Sequence, residues 1–183
     1  MPVTPFRRKQ AVGIAGALPA FVVVALTLEH ARNLFAFVSL PEDNLASRLA
    51  FAVRWMLLPG VCLLVGVVVA GRRGFVPDAI DGTRTPASRS LEINLRYNQN
   101  TLEQTILACI AWASLATSLP AVGLVLIPAM ATLFAVGRAA FWVGYLIHPM
   151  GRAFGMVLTV VPTIASYAWL LWSWSTVPGY AGR

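Results

Sequence analysis

Arg96, Asn100 and Glu103 are spaced i, i+4 and i+7, and Arg138, Phe141 and Tyr145 are spaced i, i+3 and i+7. On helices, each set shares one face. Both sets border long apolar runs, where ionisable groups are costly unless they pair or face a wet cavity. Between Glu103 and Arg138 lie 34 residues without a charge. As one helix that stretch would be about 50 Å long, well beyond the roughly 30 Å of a hydrocarbon core. It must fold back, and Ser118-Leu119-Pro120 is the natural turn, because proline disfavours helix at the residue before it. The two helices are then antiparallel, with Glu103 and Arg138 at similar depth, roughly 13 Å in from their polar ends. The expected arrangement is a Glu103–Arg138 pair, with Asn100 near Phe141 and Arg96 near Tyr145, forming a polar pocket. The plainer alternative is a buried ion pair that only fixes helix register, with Arg96 reaching to the lipid headgroups.

The elements that position these residues are membrane spans. The chain of 183 residues is 58% hydrophobic and only 11% charged, with a mean hydropathy of +0.72. A soluble domain would carry roughly a quarter charged residues. This composition excludes a water-soluble globular enzyme, a disordered tail and a nucleic-acid-binding module. Five spans are expected: Ala11 to Leu28, Leu49 to Ala70, Asn94 to Leu119, Ala121 to Ile147, and Ala153 to Trp174. The first follows Arg7, Arg8 and Lys9 like a signal peptide, but it is long and lacks a small-residue cleavage site before a soluble domain, so a retained span is expected. Trp169, Trp172 and Trp174 suit a membrane interface. Pro59, Pro128 and Pro162 fall inside spans, where proline is tolerated.

The net charge of +7 follows from topology. Arg7, Arg8 and Lys9, the loop bearing Arg72, Arg73, Arg84, Arg89 and Arg96, and the turn before Arg152 all fall on one side. The positive-inside rule makes that side, with the N-terminus, cytoplasmic. No nucleic-acid partner is needed to explain the charge.

Two runs carry a resemblance. Arg96 to Glu103 reads R-x-x-x-N-x-x-E at the start of a span, and Arg138 to Tyr145, with Arg152 seven residues on, reads R-x-x-[aromatic]-x-x-G-Y-x6-R. In this order, on adjacent helices, they resemble the MAPEG superfamily of membrane-associated proteins in eicosanoid and glutathione metabolism. The resemblance covers about Leu49 to Trp174. It implies an all-α membrane protein: a four-helix transmembrane bundle over residues 49–183, preceded in residues 1–48 by a cytoplasmic segment, one extra N-terminal span and an outer loop.

The resemblance further implies a homotrimer that binds glutathione between neighbouring subunits near the cytoplasmic face. Position by position, Arg96, Asn100, Glu103, Arg138 and Tyr145 match residues that line the glutathione site. Arg152 matches the arginine that stabilises the thiolate, and Arg72 or Arg73 sits where an arginine helps hold the thiol. Two positions depart from the pattern: Phe141 lacks a hydroxyl or imidazole common there, and Gln104 replaces a common tyrosine. The chemistry suits the ligand. Glutathione carries two carboxylates and an ammonium, and guanidinium forks hold carboxylates in bidentate fashion. A thiol of ordinary pKa near 8.5 is mostly protonated at neutral pH, and each unit of depression gives about tenfold more thiolate. Arg152, at the N-terminal end of a span, would be helped by the helix dipole.

The expected function is therefore a glutathione-dependent transferase or peroxidase acting on lipophilic small molecules that enter from the membrane lipid. A non-catalytic family member that binds lipid or a partner protein is the alternative, favoured by Phe141 and Gln104. A third is a structural protein whose polar residues form only an ion pair. Elsewhere, Glu29 and Arg32 are expected to form an interfacial pair and Arg54 to reach towards headgroups. Cys62 and Cys109, in apolar runs, are expected to be inert packing. His30 and His148 fall on opposite sides of the membrane, so no metal site is expected. One lysine against thirteen arginines, with abundant alanine and valine, suggests a bacterial inner-membrane protein.

Overall fold

The computed structural model describes residues 5–77, 79–81 and 88–176. Arg84, within the expected cytoplasmic loop, lies outside the described residues, as does Asp78. Six α-helices follow in order: α1 (Pro5–Glu29), a short α2 (Ala31–Leu34), α3 (Leu45–Ala70), α4 (Arg89–Ser118), α5 (Leu126–Ile147) and α6 (Ala153–Thr176). There is no strand among the described residues. The five long helices coincide with the five expected spans, with ends shifted by a few residues.

Local chemistry sets the boundaries. Asn44 caps α3, its side chain accepting from the backbone of Ser47 at 2.8 Å, which satisfies one of the free amides of the first turn. At the same end of the bundle α4 stops at Ser118, because Pro120 forces the preceding residue into extended backbone. A 3₁₀ turn, Ala121–Val125, then leads into α5. Pro128, in the first turn of α5, costs no interior hydrogen bond. Pro59 and Pro162 lie mid-helix and buried.

Helices α3 to α6 run alternately up and down as a four-helix bundle, with α3 along α4 and α5 along α6. The extra helix α1 packs on the outside of α6, where Ala20 and Val24 meet Leu158 and Leu133. Hydrocarbon outside offers no hydrophobic drive between helices, so close van der Waals packing must hold them. Small residues allow it: Ala108, Ala111, Ala116 and Ala131 are all fully buried. Around them Trp112 fills the core, edge-on to Phe134 at 6.3 Å between ring centroids.

Among the described residues, four helical stretches are long and apolar enough to cross a membrane: Gln10–Glu29, Leu45–Phe75, Ala121–Ile147 and Ala153–Thr176. Helix α4 has the length, at 30 residues, but Arg89, Glu92, Arg96 and Glu103 make its first half polar. Its second half lies in the bundle core through Ala108, Trp112 and Leu115. Arg48 joins α3 to the far end of α4, donating to the carbonyls of Ala116 (2.7 Å) and Leu119 while pairing with Asp43 at 2.7 Å. Those carbonyls have no partner within the helix, and a forked cation suits them. Glu29 and Arg32, expected as a pair, make no salt bridge; they flank the break between α1 and α2.

Candidate functional site

The candidate residues gather at the end of the bundle where α3 and α5 finish and α4 and α6 begin, but they divide into an inner and an outer set. Arg138 belongs to the inner set and is 0% exposed. Its guanidinium donates to Asn100 Oδ1 on α4 at 2.8 Å and to Thr159 Oγ1 on α6 at 2.7 Å. The faces of the cation lie 4.7 Å from the Phe141 ring and 5.7 Å from the Phe134 ring. Hydrogen bonds and aromatic faces thus replace the hydration that a buried guanidinium loses. Its Nε alone has no partner.

The expected Glu103–Arg138 pair is not formed. Glu103 is exposed on the outer face of α4 and accepts from Gln99 Nε2 at 2.9 Å. Depth along the helix agrees, but rotation does not: the face that turns inwards carries Tyr97, Thr101, Ala108 and Trp112, and Glu103 lies about 150° round from it. Asn100, at the edge of that face, is the α4 residue that reaches Arg138.

Arg96 belongs to the outer set. Its side chain is 61% exposed and pairs with Glu92 one turn earlier at 2.8 Å, within electrostatic reach of Tyr145. Arg96, Gln99 and Glu103 therefore form one exposed polar stripe. Tyr145 and Arg152 lie beside its upper end, with the Arg152 guanidinium 4.8 Å from the centre of the Tyr145 ring. Arg152 immediately precedes α6, so the free amides of that helix add positive potential around it. Phe141 links the two sets. One face receives Arg138, and its ring meets Tyr145 edge-on at 5.8 Å, giving the continuous stack Arg138–Phe141–Tyr145–Arg152.

Arg72 and Arg73 lie at the same end but point to the connection between α3 and α4. Arg72 donates to Ser90 Oγ at 2.8 Å, and Arg73 donates to the carbonyls of Ala79 (3.1 Å) and Asp81 (3.5 Å). In this arrangement they tether the loop.

Four residues of the site region carry contacts that the sequence spacing did not single out: Thr159, Tyr97, Trp142 and Asn94. Thr159 holds Arg138, and its own hydroxyl also bonds back to the α6 backbone. Tyr97 stacks on Trp142 at 5.2 Å, and Trp142 donates its indole N–H to Asn94 at 2.8 Å, which locks α4 against α5. A signal existed for Thr159: with Thr163 and Ser166 it recurs at i, i+4 and i+7, a hydroxyl stripe on one face of an otherwise apolar helix.

An up-and-down bundle of apolar helices, with a cationic and aromatic site at one end, defines an all-α, multi-pass integral membrane protein. The family model for MAPEG matches residues 49–172, and the chain belongs to the MAPEG family. Among proteins of known sequence it is similar to "Transmembrane protein 79" of Mus musculus, 29% identical over 158 residues that cover 84% of this chain and 40% of that protein. The same-named protein of Bos taurus is 28% identical over 139 residues, 73% of this chain and 35% of that protein. The chain therefore spans about two-fifths of the length of these curated relatives. No solved structure matches it.

Proposed function

We propose that this protein binds glutathione at the Arg96–Tyr145–Arg152 end of the bundle and presents its thiol, as thiolate, to lipophilic substrates arriving from the bilayer. It would act as a glutathione transferase or peroxidase. The observation that carries this reading is the placement of Arg152: a cation half-buried on Tyr145, at the start of a helix.

The residues fit the ligand in charge. Arg96 and Arg152 are cations for two carboxylates, and Glu103 is an exposed anion for the ammonium, on the same side of α4 as Arg96. When bound, glutathione supplies a thiol that becomes a nucleophile on ionising. Arg152 favours the ionised form by its charge and through the dipole of α6. Tyr145 orients Arg152 by stacking and offers a hydroxyl beside it. Arg138 acts from behind, holding Phe141 and Asn100. The stripe of Arg96, Gln99 and Glu103 is open on the outer side, which supports a homotrimer in which a neighbouring subunit closes the site. The arginine bias supports a cytoplasmic position for this end and for the N-terminus. The bacterial inner membrane is proposed on composition alone, and the two relatives above are mammalian.

A second reading, a non-catalytic member that binds lipid or a partner protein, draws on the engagement of Arg138 inside the bundle and on the missing hydroxyl at Phe141.

Thiolate difference absorbance of the detergent-purified protein, titrated with glutathione beside Arg152→Ala, separates the two. A saturable signal lost in the variant supports the activating site. Calorimetric binding without thiolate supports the non-catalytic reading. Neither signal nor binding overturns the glutathione site.

A further inference from the structure

Arg54 lies on the exposed side of α3, at the end of the bundle opposite the glutathione-type site. It stands eighteen residues before Arg72, or about 27 Å along the helix. If Arg72 marks one headgroup boundary, Arg54 falls at the inner edge of the other, within reach of phosphate. Among the described residues it forms no ion pair: Asp43 is committed to Arg48, and Glu42 accepts from Asn44. A lone guanidinium facing lipid at that depth is stabilised by an anionic partner.

The surroundings of Arg54 are shaped. The connection from α2 to α3 is non-helical between Phe35 and Asn44, and it turns back along α3, so that Ser39 and Arg54 line the same cleft. Between them is an open cleft of about 360 Å³ whose remaining walls are mainly Phe51, Trp55, Leu57 and Leu58. Irregular backbone at membrane depth is tolerated only where it is buried in protein or lines a wet cavity, which makes this a polar notch in an apolar wall. The same connection exposes Phe37 (79%) and Leu40 (40%), side chains that belong in the acyl region. A cation and a hydroxyl above an apolar trough match an amphiphile with a phosphate at its head. No acidic side chain lines the cleft to receive an ammonium headgroup.

We propose that this cleft is a binding site for one anionic phospholipid, with the phosphate on Arg54 and Ser39 and the upper acyl chain along Trp55, Leu57 and Leu58.

Trp55 reports on its own cleft. The full-length chain would be reconstituted in phosphatidylcholine vesicles containing a minor fraction of brominated phosphatidylglycerol or, in parallel, brominated phosphatidylcholine. The Trp55 signal is taken as wild type minus Trp55→Phe. The expected result is quenching about fivefold more effective per mole by the anionic lipid, lost in Arg54→Gln, retained in Arg54→Lys and reduced in Ser39→Ala. Equal quenching by the two lipids in the wild type, or an unchanged preference in Arg54→Gln, would overturn the site. Trp55 shielded from both lipids would assign the cleft to a second copy of the chain and overturn it equally. Thermal melting of each variant separates loss of lipid from loss of fold.

Discussion

Arg138 donates to Asn100 Oδ1 at 2.8 Å across the α4–α5 contact with none of its surface exposed. The most buried charge among the described residues thus acts as a clasp. One guanidinium ties α5 to α4 through Asn100 and to α6 through Thr159. Truncating it strands Asn100 Oδ1, leaves Thr159 only its bonds to the α6 backbone, and opens a cavity between Phe134 and Phe141. Arg138→Ala should cost about 3 kcal/mol and lower Tm in detergent. Arg138→Lys should recover little, because an ammonium cannot reach both partners in the planar fork geometry. If Arg138→Ala melts like wild type while losing glutathione binding, the clasp role is wrong and Arg138 is a ligand.

Glu103 tests the opposite case. It is exposed, with Gln99 as its hydrogen-bond partner, and exposed pairs of this kind contribute little to folding. Glu103→Gln should therefore leave the melting temperature of the detergent-solubilised protein within error, a change below about 0.5 kcal/mol. If Glu103 receives the ammonium of glutathione, the same variant should weaken binding by roughly tenfold, since a charge-assisted contact is lost. Calorimetric titration of wild type and variant measures this. Loss of stability without loss of affinity would make Glu103 structural.

The contrast between these two residues shows what the sequence could tell. Hydropathy located four of the five long helices, and the 34 residues without a charge, too long for one span, supplied α4 by requiring the chain to fold back. Pro120 placed the turn for a steric reason that no packing overrides. The i, i+4, i+7 spacing correctly put Arg96 and Glu103 on one face, yet spacing alone does not say whether that face turns in or out. The packing of Ala108, Trp112 and Leu115 decides it, through the sizes of side chains on neighbouring helices. Depth pairs Arg138 with Glu103 and Phe141 with Asn100, but rotation leaves only Asn100 at the edge of the inward face, and it is Asn100 that Arg138 reaches. Within the bundle, an amide, a hydroxyl and two aromatic rings serve the cation instead. Thr159 went unnoticed, since a hydroxyl is a partner as good as a carboxylate only once the distance is known.

The α5–α6 seam shows how close the helices must come for that clasp to close. A Cβ added at Gly155 would run into the backbone of Phe141 and the carbonyl of Gly137, and one at Gly137 would meet Thr159 at 2.9 Å. Backbone cannot rotate aside as a flexible side chain can, so Gly155→Ala must push α6 away from α5. Thr159 sits one turn beyond Gly155, and its hydroxyl would move off the Arg138 guanidinium. The expected penalty is about 2–3 kcal/mol from overpacking, with a further loss from the broken hydrogen bond. Gly60, on α3, is the control, because a Cβ there meets nothing within 4 Å; Gly60→Ala should be neutral or slightly stabilising through helix propensity. Thermal unfolding of both variants measures the difference. A double-mutant cycle of Gly155→Ala with Thr159→Val then reports whether the seam and the clasp are coupled: sub-additive losses are expected if displacement of Thr159 is part of the penalty, and strict additivity would separate helix spacing from the Arg138 site.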